Sequence, residues 1–130
     1  MTCVSFTRIE GRWAIARLDA GAALPEWLAR AHLPFVAITR TRAETSIVCA
    51  EDAVPADVTA ERDWALIELL GPFALSTTGI LAAFAQPLAE AGIPLFAISS
   101  FDTDHLLVPA TRIDAACRVL VGAGHRQRQA

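Results

Sequence analysis

Lysine, asparagine and tyrosine are all missing from this 130-residue chain. All 11 basic residues are arginine, and alanine is abundant. The missing residues share AT-rich codons, so the bias reflects a GC-rich coding sequence. The number of arginines therefore carries little functional weight. Excess positive charge is missing too. The net charge is −3, which gives phosphates no general attraction and argues against a nucleic-acid partner. Uninterrupted apolar runs are short. The longest candidate for a membrane span, 71–89, is broken by Pro72, Ser76, Thr77, Thr78, Gln86 and Pro87, against the ~18 apolar residues a span needs. The first residues have neither a basic start nor a long apolar run, so no secretory leader is expected. Cysteine is sparse. Cys3, Cys49 and Cys117 are odd in number and isolated, which suits free thiols and a cytoplasmic location.

Chemical motifs are equally thin. There is no phosphate-binding Gly-rich loop and no Gly-x-Ser-x-Gly elbow. His32, His105 and His125 lack metal spacing. No metal, cofactor or catalytic residue is expected. A Cys–His pair using Cys49 or Cys117 is a remote enzymatic alternative, because both lie in apolar patterns where cysteine acts as a small hydrophobe.

What remains is a globular composition, 54% hydrophobic and 19% charged, sized for one domain or two very small ones. The chain matches itself at an offset of 60. Residues 28–39 (LARAHLPFVAIT) lie over 88–99 (LAEAGIPLFAIS), with six identities and four close substitutions in twelve positions. Fixed-period similarity marks repeated structural units. The first half reads as a strand over 12–18, a short helix over 25–32 begun by Pro25, and a hairpin of 35–40 with 45–50. Residues 51–62 read as a linker. The second half reads as a strand over 63–70, a helix over 78–91, a hairpin of 95–99 with 105–108, and a helix over 110–121. Pro87 is expected to kink or split the longer helix. Residues 122–130 are expected to fray. The order predicts an α+β fold of two ferredoxin-like βαββαβ-type modules, 1–60 and 61–130, with antiparallel sheets and helices on one face.

Two features of the second half stand out. Ser76, Thr77 or Thr78 could cap the helix, and Gly79 leaves its first amides uncovered, which suits an anion or carboxylate. An ordinary N-cap explains the same residues. Asp102 and Asp104 flank Thr103 in the hairpin loop and could hold an ammonium or guanidinium. A turn closed by aspartate is the plainer reading. Trp13, Trp27 and Trp64 are expected to be packing residues.

The sequence STTGIL, followed by PLAEAGIPLFAISSFDTDHLLV at 87–108, resembles the small bacterial tandem ACT-domain proteins. These are similar to the ACT modules of the cytosolic arginine sensor of the TORC1 pathway and of aspartate kinases. The resemblance covers 63–121 by motif. The first half follows it in order of elements more than in residues. It implies a non-enzymatic regulatory protein that binds a free amino acid or similar small molecule. Ser76, Thr78, Gly79 and Ile80 would meet the ligand's carboxylate, and Asp102, Thr103 and Asp104 its amino or side-chain end. An ACT-fold scaffold that only mediates oligomerisation is the alternative. Unprotected edge strands further predict a C2 homodimer.

Overall fold

The computed structural model describes residues 2–129. The chain forms two compact units. One is continuous, Gly11–Trp64; the other runs to Glu10 and resumes at Ala65. The division falls inside two long strands, β1 (Ser5–Asp19) and β4 (Ala60–Leu69). The expected modules of 1–60 and 61–130 thus differ from this division at the N-terminus. The first ten residues group with the later unit because Val4 and Phe6 pack into its core.

In the continuous unit the strand order is β2 (Ala37–Arg40), β3 (Glu44–Ala50), β1, β4. β3 is antiparallel to both neighbours, with Thr45 opposite Leu18 and Arg40. The β2–β3 turn closes on Thr41, whose Oγ1 accepts from the Ala43 and Glu44 amides, both at 3.1 Å. The core gathers Ala14, Ala16, Trp27, Ile47, Cys49, Ala53 and Val54. The helix expected over 25–32 is a single 3-10 turn, Glu26–Arg30. Pro25 and Ala31 are extended at its ends and leave no room for α turns. The expected linker is ordered instead. Ala53 and Val54 are buried, and Arg62 donates to the Val54, Pro55 and Val58 carbonyls.

In the discontinuous unit the order is β1, β4, β6 (Asp104–Pro109), β5 (Phe96–Ser99). β5 and β6 are antiparallel, with Phe96 opposite Leu107. β7 (Arg126–Arg128) adds to β1 in parallel, with Ser5 opposite Arg126. The expected fraying of 122–130 is therefore corrected over Arg126–Arg128; residue 130 lies outside the described residues. Arg126 N–H donates to Val4 O (3.2 Å) and anchors the strand. Helices α1 (Ile80–Glu90) and α2 (Ile113–Gly122) bury Phe84, Leu88, Ile113, Ala116, Cys117 and Leu120 against Phe6, Ile67, Leu69, Leu106 and Val108 of the strands. Burying a side chain of this size is worth about 1.5–3 kcal/mol. Pro87 does not split α1, which runs through it unbroken. Among the described residues, no helix is long and apolar enough to cross a membrane.

Candidate functional site

In the discontinuous unit, β4 ends at Leu69 and the chain runs irregularly to Gly79 before α1 begins. Facing it is the loop between β5 and β6. That loop is closed by Ser100, whose N–H and hydroxyl both reach Thr103 O, at 2.8 and 3.1 Å. The Thr103 hydroxyl donates to Leu69 O (2.6 Å) and fastens the loop to the end of β4. Phe73 N–H donates to Asp102 O (2.7 Å) and fastens the 71–79 segment to the same loop. The approach is close enough to demand glycine at position 71, where a Cβ would lie 2.8 Å from Asp102 O.

These ties leave a cavity of about 290 Å³. Its lining includes Gly79, Ile80, Asp102, Thr103 and Asp104, five of the residues singled out from the sequence. Ser76 and Thr78 are exposed and do not line it, whereas Thr77 does. Neither Ser76 nor Thr78 caps α1, whose start has no side-chain cap at all. Gly79 takes that position with φ of +83°, a left-handed conformation costly for other residues. Ala83 N–H returns to Gly79 O at 3.0 Å, so the amides of Ile80, Leu81 and Ala82 precede the first helical bond. Phe73, Ser99 and Ser100 also line the cavity and escaped the sequence reading. Phe73 follows the Gly-Pro stop of β4, and the serines lead into the acidic loop; those were the available signals.

The charge of the cavity is one-sided. Asp102 and Asp104 line it, and no basic side chain does. Asp104 accepts the Ser99 hydroxyl at 2.5 Å. Behind it His105 is buried, with Nε2 3.4 Å from Glu68 Oε1. Burial lowers the His105 pKa, opposed by the Glu68 and Asp104 charges. The site can therefore place partial positive charge from α1 opposite two carboxylates.

The thiols lie elsewhere. Cys49 and Cys117 are buried and Cys3 is exposed. Burial, with the Asp52 charge adding to it, pushes Cys49 up to about 11. Burial also raises Cys117, against Arg8 and with Asp114. Both stay protonated at neutral pH and are poor nucleophiles. Among the described residues, no cluster of three or more His, Cys, Asp or Glu is placed to hold a metal.

With this geometry in hand, comparison with known proteins is informative. Residues 59–121 match the ACT domain family, and residues 11–57 match a second family described as an N-terminal domain. Over residues 59–121 the chain is thus similar to ACT domains. The chain belongs to one family with Atu0741 of Agobacterium tumefaciens. The crystal structure of that protein is 38% identical, with a TM-score of 0.91 over 100% of this chain and 96% of that one. A 58-residue stretch is 40% identical to the human cytosolic arginine sensor for mTORC1 subunit 1, covering 44% of this chain. The match spans only 18% of that sensor's length. The regulatory subunit of aspartate kinase from Thermus flavus shares the fold at 16% identity, with a TM-score of 0.67 over 94% of this chain and 99% of that one.

Proposed function

We propose that this chain is a non-enzymatic regulatory protein, built from two ferredoxin-like ACT-type modules, that binds a free amino acid or a similar small zwitterion. It works in the cytoplasm as a homodimer and transmits ligand occupancy by association. The observation carrying this reading is the one-sided cavity between the start of α1 and the 99–104 loop. Its volume falls just short of the usual range of small-ligand pockets, about 300–1,000 Å³, which suits a ligand as small as a free amino acid. The uncapped amides after Gly79 suit a carboxylate. Asp102 and Asp104 suit an ammonium or guanidinium through charge-assisted hydrogen bonds. Ser76 and Thr78 would join the ligand's carboxylate only after the 71–79 segment rearranges.

A second reading, an oligomerisation scaffold without ligand, is favoured by the apolar rim. Leu75 and Phe101 border the cavity at 74% and 79% exposure, with Leu81 beside them. Large apolar side chains grouped in this way suit coverage by another chain. Calorimetric titration of each free amino acid, with light scattering on the same samples, separates the two readings. Saturable heat from one amino acid supports the sensor. A dimer with no heat from any of them supports the scaffold, and a 13.9 kDa species throughout contradicts the dimer.

A further inference from the structure

The arginines are informative by placement. Most are anchored: Arg12 pairs with Asp63, Arg62 binds three carbonyls, and Arg112 reaches the Ala91 and Gly92 carbonyls at 3.5 Å. On the discontinuous unit, however, the side chains of Arg118 and Arg126 have no hydrogen-bond or ion-pair partner among the described residues. Arg128 has only a 3.5 Å contact to the Ser5 hydroxyl. Arg118 belongs to α2, and Arg126 and Arg128 to β7. Two adjacent hollows of about 530 and 540 Å³ share Arg8 and Gln127 as lining; Arg118 borders the first and Arg128 the second. Two carboxylates are present, Asp114 and Glu10. Asp114 and Arg8 offset each other's charge at 2.6 Å, which leaves Arg118 and Arg128 as the uncompensated cations of the two hollows, with Glu10 beside Arg128. Cys117 and half-exposed Val121 supply an apolar wall.

We propose that this groove is a second ligand site, separate from the α1 cavity, for a soluble small molecule carrying two or more phosphate groups. Guanidinium groups without an ion-pair partner attract a multivalent anion. Guanidinium forks match phosphate oxygens two at a time, and hollows that share a wall at Arg8 and Gln127 offer Arg118 and Arg128 to separate phosphates of one molecule. The apolar wall takes the uncharged part of the molecule.

Inorganic tripolyphosphate is the probe, titrated calorimetrically into the full chain at 150 mM salt. One-to-one binding is expected, with citrate at least tenfold weaker. The Arg118→Gln/Arg128→Gln variant should bind at least tenfold more weakly with an unchanged melting temperature, since neither side chain supports the fold. Should that variant melt early, Arg118→Gln alone serves in its place, again with at least tenfold weaker binding expected. No saturable binding at 150 mM salt, equal affinity for citrate, or an unaffected variant would each overturn the proposal. Co-sedimentation with vesicles containing phosphatidylinositol bisphosphate, without heat from tripolyphosphate, would overturn it in favour of a lipid headgroup.

Discussion

His125 gives Ala83 the hydrogen bond that Pro87 withholds. In a regular helix the carbonyl of residue 83 accepts from the amide of residue 87, and proline has none. His125 Nε2 stands 2.9 Å from Ala83 O instead. Its Nδ1 accepts from Val4 N–H at 3.2 Å, which fixes the proton on Nε2. The ring also stacks on Phe84, centroids 4.0 Å apart. One buried side chain thus repairs α1 and fastens both ends of the chain to it. His125→Phe should keep the stacking but strand two polar groups, at about 1–3 kcal/mol each. In a Pro87→Ala background Ala83 regains a backbone donor, and the penalty should shrink by about 1 kcal/mol. Urea unfolding of the four proteins in this cycle measures the coupling. Strict additivity would show that the ring and the proline are unrelated.

Gly71 marks where two loops touch. A methyl group there would meet backbone at 2.8 and 3.0 Å, and backbone cannot swing aside as a side chain can. Gly71→Ala should push the 71–79 segment off the 99–104 loop, break the Phe73–Asp102 bond and cost about 1–3 kcal/mol. Amide exchange at Phe73 should quicken while exchange in α2 stays slow. Unchanged protection at Phe73 would contradict the close contact.

The burial of His105 predicts a pH dependence with a definite sign. Its folded-state pKa is lowered by burial, so the unfolded chain binds the proton more readily. The stability linked to this residue is fully present above the unfolded value of about 6.5 and is lost as pH falls toward the folded one. Melting temperature should drop between pH 7.5 and 5.5, and less steeply in His105→Gln. Parallel curves for the two proteins would mean that another group carries the dependence.

The thiols should separate by burial. Cys3 should react with a thiol reagent at once in the native protein, Cys49 and Cys117 only as fast as the fold opens. Peptide mapping after timed labelling reads this directly. Rapid native modification of Cys49 or Cys117 would return a cysteine-based activity to consideration.

Much of the second half was legible because its signals are local. Ile80, Leu81, Phe84 and Leu88 recur at helical spacing, and of these Phe84 and Leu88 are buried. The two hairpins were readable from their β-rich runs, and the second strands begin sixty residues apart, at Glu44 and Asp104. What escaped was long-range. β7 is Arg-Gln-Arg, polar throughout, and is a strand only because β1 lies beside it. His125 meets partners 42 and 121 residues away, a link no local pattern announces. Ser5–Glu10 went unread as strand, and with it the grouping of both termini in one unit. At the site, residue types marked the glycine and the aspartates. The exclusion of Ser76 and Thr78 depends on how the 71–79 segment folds back, which those side chains do not encode.

The central claim is that an amino acid binds between α1 and the acidic loop. Thermal unfolding of the wild type and of Asp104→Ala, across the free amino acids at millimolar concentration, tests it most directly. A ligand at a hundredfold excess over its Kd adds about 2.7 kcal/mol, and each kcal/mol moves the melting temperature by roughly 3–6 °C at this chain length. The account predicts a clear shift with at least one amino acid. It also predicts that Asp104→Ala loses most of that shift while its ligand-free melting temperature barely moves, because Asp104 is half-buried and its one side-chain hydrogen bond among the described residues is with Ser99. A wild type that no amino acid shifts, or a shift that Asp104→Ala retains in full, would contradict it.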